Sequence, residues 1–281
     1  MGERIGVVGL GRMGAAIAAR LAGLGWPVTG WTRSGRAVPG VAAAPDLATC
    51  AEGSDILVLS LFDDAAVGEV LDALATLPLA GRLVVDTSTV SPEVLRGAEA
   101  GLRAAGAAAV DAPISGGPEM VAQGAAGMFL GGAAQDVARL RPVAEALASR
   151  APHVGPLGAG AVAKIVNNMM LAGLWQTLAE ALAVGRRAGL DAETLVDLLR
   201  ASPATPPALT GRLDVLTGAS DRVGFPVAGA VKDTALFVDV ARALGVPVPA
   251  LAASHASFVA AERDGLGPAD IAAMPRAVLK G

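Results

Sequence analysis

The sequence predicts an α/β protein in two parts, a doubly wound parallel sheet followed by an all-helical domain. Three observations lead there. The opening segment "RIGVVGLGRMGAAIAARLAGLG" reads as a strand, a glycine-rich turn and a helix whose alanines and leucines recur at helical spacing. Strand-like apolar runs then alternate with helix-compatible segments as far as residue 113. Past residue 157 the alternation stops, and the patterned stretches repeat at three- and four-residue spacing.

The first strand is the β-branched run Ile5 to Val8. In the turn after it, Gly9 permits the tight bend, Gly11 lets backbone approach a pyrophosphate, and Gly14 lets the helix pack close to the strand. The phosphates would meet free N–H groups at the helix N-terminus. A glycine-rich αβ turn that binds nothing is the plain alternative. With a strand before it and a helix after it, the motif reads as the dinucleotide site of a Rossmann domain. Further strands are expected in "PVTGW" (27–31), "DILVLSL" (55–61), "RLVVD" (82–86) and "AAAVDAP" (107–113). The carboxyl ends of parallel strands form the binding edge, where "FDD", "DTST" and "DAPISGG" fall. The second strand runs into Trp31, Thr32, Arg33, Ser34, Gly35 and Arg36, with no acidic residue between Glu3 and Asp46. An acid there would bind a ribose 2′-OH; hydroxyl and basic groups suit a 2′-phosphate, so NADP(H) is expected over NAD(H).

"GPLGAGAVAKIVNNMMLAGLWQTLAEALAVGRRAGL" is expected to form one long inter-domain helix, opening on glycines and running to Gly189. It divides a dinucleotide domain, residues 1–157, from a helical substrate and oligomerisation domain, residues 158–281. Lys164 and Asn168 stand one turn apart in an otherwise apolar stretch, with Asn167 beside them. A helix that crosses between domains is expected to line the cleft where small-molecule sites form, with both residues facing it. "DAETLVDLLRAS", "VKDTALFVDVARALG" and "VPALAASHASFVAAERDGLG" follow as helices, and the proline-rich "SPATPPALTG" (202–211) is expected as a rigid part of the pocket wall.

Composition narrows the partners. Apolar residues make up 53% and charged residues 17%, enough for a large core. A net charge of −4 with no basic cluster argues against nucleic acid. No run reaches the roughly 18 to 20 apolar residues needed to span a bilayer, and no secretory pattern is visible, so a cytoplasmic protein is expected. One cysteine, Cys50, and two histidines, His153 and His255, give no basis for a metal site. The expected partner is a small molecule.

"GLGRMG" (9–14), "DTSTVSPE" (86–93), "DAPISGGPEMVAQGAAGMFLGG" (111–132), "GAGAVAKIVNNMM" (158–170) and "VKD" (231–233) occur in an order and spacing that together resemble the β-hydroxyacid dehydrogenases. That family includes 3-hydroxyisobutyrate dehydrogenase and the tartronate, glyoxylate and succinic semialdehyde reductases, and it is related to 6-phosphogluconate dehydrogenase and the imine reductases. The resemblance covers nearly the whole chain. It implies that Lys164 is the general acid/base of hydride transfer and Asn168 its partner amide, against the plain reading of a snorkelling lysine on a connecting helix. It implies a substrate-carboxylate site at Ser115, Gly116 and Gly117, and a place beside nicotinamide or substrate for Thr89 and Lys232. The cofactor loop would comprise Gly9, Leu10, Gly11, Arg12, Met13 and Gly14, with Thr32, Arg33, Ser34 and Leu61. Leu61-Phe62 departs from the family's usual Leu-Pro.

The activity so implied is NADP(H)-dependent interconversion of a small β-hydroxyacid and its semialdehyde, or glyoxylate reduction, by a homodimer or homotetramer. Two other readings remain. Imine reductases share the architecture but typically lack the Ser-Gly-Gly site and the lysine; a dinucleotide-binding module without chemistry would not need Lys164 and Asn168. The helical domain of 6-phosphogluconate dehydrogenase is much larger than this chain allows.

Overall fold

The computed structural model describes residues 2–280. The chain divides into two compact units, residues 1–165 and 166–281, the division falling inside the long helix. The first unit contains β1 (Ile5–Val8), α1 (Arg12–Gly23), β2 (Val28–Trp31), β3 (Ala42–Ala43), α2 (Leu47–Glu52), β4 (Ile56–Leu59), α3 (Asp64–Ala75), β5 (Leu83–Asp86), α4 (Pro92–Ala104) and β6 (Ala108–Asp111). It continues through β7 (Ile114–Ser115), α5 (Pro118–Gln123), β8 (Ala126–Met128), β9 (Leu130–Gly131), α6 (Ala134–Leu147), β10 (Ala148–Arg150) and β11 (His153–Gly155). Then α7 (Ala159–Arg187) begins.

The main sheet has the order β11-β9-β6-β5-β4-β1-β2-β3. From β3 to β6 every pairing is parallel. Alternate residues of each strand enter opposite cores: Ile56, Val58, Leu83 and Val85 pack with Ile17 and Leu21 of α1, whereas Leu57, Leu59 and Val84 pack with Leu71 of α3 and Leu102 of α4. That period-2 division, with apolar side chains on both faces, is why these strands read as continuous hydrophobic runs. The edge beyond β6 departs from the expected parallel sheet. There β9 pairs antiparallel with β6 through Asp111 and Gly131. A small second sheet, β10-β8-β7, also forms.

In the second unit α7 continues and α8 (Ala192–Ala201), α9 (Pro207–Thr210), α10 (Leu213–Thr217), α11 (Val227–Ala243) and α12 (Pro249–Ala261) follow, with a short π-helical stretch (Glu262–Leu266) before α13 (Ala273–Lys280). Ala172, Trp175, Leu178 and Leu182 mark the buried stripe of α7 at helical spacing. The proline-rich joint turns into α9, Pro206 serving as its N-cap. Asp270 organises the far end of the chain. Its carboxylate accepts from the Gly224 and Phe225 N–H groups at 2.8 and 3.0 Å and pairs with Arg212 at 3.2 Å. The start of α11 is thereby held in place. Among the described residues no helix is long and apolar enough to cross a membrane, and no group of three or more His, Cys, Asp or Glu side chains could hold a metal ion.

Candidate functional site

The glycine-rich turn leaves β1 with Gly9 at φ +91°, a conformation that favours glycine. A Cβ on Gly14 would strike the Gly9 carbonyl oxygen, so α1 reaches its close approach to the turn only with glycine there. Gly11 differs from both. A Cβ at that position would meet nothing within 4 Å. Gly11 is the N-cap of that helix, no side chain caps it, and no acidic residue stands in its first turn. The positive end of a helix, with no side chain at its N-cap, fits the phosphates of a dinucleotide. In the same loop Leu10 and Gly14 are buried, Met13 is half-buried and Arg12 exposed.

The carboxyl ends of the neighbouring strands complete this edge. The Gly9 N–H donates to the Trp31 carbonyl at 2.8 Å, tying the glycine turn to the end of β2. Thr32 is half-buried; Arg33, Ser34 and Arg36 are exposed. Arg33 lies 3.5 Å from Glu69 of α3, with the two side chains 80% and 70% exposed, a surface pair too weak to commit either group. After β4 the Leu61 N–H donates to the Ser88 hydroxyl at 2.9 Å, and the Thr87 hydroxyl donates to the Leu59 carbonyl at 2.7 Å. The end of β5 thus braces the loop carrying Leu61 and Phe62. Thr89 follows, half-buried.

At the end of β7 Ser115 pairs with Gly127, and Gly116 adopts φ +134°. Gly117 is the N-cap of α5, with no side-chain cap. Lys164, on α7, is 7% exposed, and its ammonium donates to the Ile114 carbonyl at 2.6 Å, one residue before Ser115. The first unit therefore brings the lysine to the Ser-Gly-Gly turn. Asn168, one helical turn further on, is 8% exposed and accepts from the Asn167 side-chain amide at 3.0 Å. Lys232 belongs to α11, where it pairs with the buried Asp233 at 2.8 Å; its own side chain is 20% exposed. His153 is bound to the Gly132 and Gly155 carbonyls, where β11 pairs with β9, and His255 to the Thr234 hydroxyl between α12 and α11.

Two carboxylates not singled out from the sequence emerge at the same edge. Asp86 and Asp111 end β5 and β6 as register partners and both line a small recess with Ser88, Ser91 and Gly158. Burial pushes the Asp86 carboxyl up to about 6, opposed by its bond from the Ser88 N–H. Burial also raises Asp111, against the pull of the Ala161 and Gly158 N–H groups. In the sequence each is an acidic residue closing an apolar strand, a signal present but shared with many surface turns.

Residues 4–155 match the family described as the NAD binding domain of 6-phosphogluconate dehydrogenase, and residues 158–278 the one described as NAD-binding of NADP-dependent 3-hydroxyisobutyrate dehydrogenase. The NAD-dependent L-serine dehydrogenase of Pseudomonas aeruginosa is 35% identical over 208 residues, covering 71% of this chain and 70% of that protein. A probable 3-hydroxyisobutyrate dehydrogenase of Mycobacterium tuberculosis is 32% identical over 274 residues, 92% of this chain and 91% of its own. Among solved structures, M. tuberculosis 3-hydroxyisobutyrate dehydrogenase with L-serine superposes with a TM-score of 0.88 at 28% identity, covering 99% of each chain.

Proposed function

The chain belongs to the β-hydroxyacid dehydrogenases, and we propose that it is an NADP(H)-dependent member that interconverts a small β-hydroxyacid and its semialdehyde, or reduces glyoxylate, with Lys164 as general acid/base. The observation that carries this reading is the buried Lys164 ammonium on the Ile114 carbonyl, next to the Ser115-Gly116-Gly117 turn. A bound dinucleotide supplies or accepts the hydride. Lys164 holds the proton at Nζ, gives it to the carbonyl oxygen as alkoxide charge develops, and takes it back in the oxidative direction. The Ser115 hydroxyl and the unobstructed backbone of the two glycines receive the substrate carboxylate. Asn168 keeps the lysine or substrate in register; Thr89 and Lys232 are contacts to cofactor and substrate. Gly9, Leu10, Gly11, Arg12, Met13 and Gly14 cradle the pyrophosphate, and Leu61 packs on the cofactor.

Family membership leaves the choice of dinucleotide to the end of β2, since one relative is named as NAD-dependent and one family description names an NADP-dependent enzyme. Thr32, Arg33 and Ser34, with Arg36 in support, suit a 2′-phosphate. Copies of the chain associate as a dimer or tetramer. Supporting this, Val166, Met170 and Val184 stand on one face of α7 at 56%, 76% and 70% exposure, with Gly173, Thr177 and Ala181 between them.

The test is NADPH and NADH consumption with glyoxylate and with the succinic, methylmalonate and tartronate semialdehydes. Native protein reduces at least one; Lys164→Ala lowers turnover by at least about a hundredfold. Arg33→Ala lowers the NADPH over NADH preference by about tenfold or more. Equal turnover in the lysine variant would sink the assignment.

A further inference from the structure

We propose that Asp111 is the positioning residue of Lys164: its carboxylate clamps the start of α7 to the end of β6 and so sets the lysine against the Ser115–Gly117 turn. The inference rests on the reading of Lys164 above and gives a role to a residue that reading does not use.

A helix of 29 residues begins at Ala159 with N–H groups that need acceptors. Its own opening, Gly158-Ala159-Gly160-Ala161, carries no side chain able to supply one. The acceptors come from far up the chain. Asp111 Oδ1 accepts from the Gly158 N–H and Oδ2 from the Ala161 N–H, both at 2.7 Å, across 47 and 50 residues. That is the length of a charge-assisted bond. The surroundings are cut to fit the carboxylate. A Cβ on Gly160 would press on Oδ2 at 2.8 Å, a Cβ on Gly131 would lie 2.9 Å from the carboxyl carbon, and Gly158 takes φ +88°.

The contrast with the ordinary caps identifies the purpose. Asp46, Asp63 and Asp191 each cap their own helix from the residue before it. Such a local cap stabilises a helix without burying a charge at 3% exposure, as Asp111 does. A remote carboxylate adds something a local cap lacks, namely the tie to another element. Three residues after Asp111 stands Ile114, and three residues after Ala161 stands Lys164; the ammonium–carbonyl bond of 2.6 Å joins them. One turn of helix and one extended tripeptide are thus fastened at both ends. Sliding or rotating α7 would break both fastenings, and proton transfer is sensitive to displacements of about 1 Å.

The experiment compares native protein with Asp111→Asn, which keeps the size of the side chain but sets an amide NH2 against a backbone N–H. Turnover should fall ten- to a hundredfold while the dinucleotide dissociation constant stays within about twofold, and the primary deuterium isotope effect on kcat/KM should rise because the chemical steps become slower. Amide hydrogen exchange should accelerate at least about tenfold in residues 158–165 and stay native in β1 and β4. Asp111→Glu keeps the charge but carries it one carbon further; positioning requires that turnover stay low, whereas near-native turnover would leave only a helix–charge effect and overturn the proposal. Unchanged turnover in Asp111→Asn despite faster exchange overturns it too, as does loss of dinucleotide binding and of exchange protection throughout the sheet. If the native protein turns over no hydroxyacid or semialdehyde, the reading of Lys164 fails by itself, and the exchange comparison still decides whether the clamp exists.

Discussion

Single residues separate binding from folding in the glycine turn. Gly14 and Gly11 sit three positions apart in one motif, yet a Cβ on the first collides with the Gly9 carbonyl oxygen while a Cβ on the second meets nothing. Gly14→Ala should therefore lower the thermal midpoint. Gly11→Val should leave that midpoint near native and weaken dinucleotide binding by tenfold or more, read by titration calorimetry; the reverse pattern would show that the turn serves only packing. Asp86 carries a different signature. Its folded value of about 6 lies above the ordinary carboxylate value of about 3.9, so the folded state binds the proton more tightly. Its neutral form favours the fold, and the contribution fades as pH rises from about 4 through 6, on the order of 2–3 kcal/mol in all. Asp86→Asn keeps an acceptor for the Ser88 N–H and has no such loss. Chemical denaturation at pH 4.5 and 7.5 should show the variant gaining on native protein at the higher pH; a gap that stays constant would refute the assignment.

Elements were legible where their pattern is long and local. The strands at 5–8, 28–31, 56–59, 83–86 and 108–111 all fall inside runs that read as strands, and α7, α8 and α12 fall inside segments of helical spacing, whereas α11 starts at Val227, ahead of the segment 231–245 that reads as helical. Strands β7 to β11 escaped notice because they are two or three residues each, and pairing rather than propensity holds them. The helix starts tell the same story. Asp63 caps α3 from the adjacent position and can be read from sequence, whereas α11 is anchored by Asp270, more than forty residues downstream. Asp270→Ala removes that anchor and leaves the Arg212 charge, 17% exposed, without its counter-ion. A loss of about 3–5 kcal/mol is expected, measured by urea denaturation; a loss under about 1 kcal/mol would mean that α11 holds its start by packing alone.

For the whole molecule, the exposed apolar face of α7 is the feature a monomer has least reason to keep. Met170→Glu together with Val184→Glu should shift sedimentation from an oligomer toward the single chain, with the far-ultraviolet circular dichroism unchanged. Native protein that sediments as a monomer at micromolar concentration would reject the assembly.

Sequence alone determined the fold class, the glycine turn between β1 and α1 and the helical stretch holding Lys164, because periodicity and glycine spacing are properties of neighbouring residues. Tertiary structure alone decided what those residues meet. Glu69 arrives beside Arg33 from α3, although no acid stands near Arg33 in the chain. Lys164 finds the Ile114 carbonyl fifty residues away, and Asp111 finds the N–H groups of the same helix. Such contacts depend on which strand ends lie side by side, and strand order is set by packing the two apolar faces of the sheet, which no local window of the sequence contains.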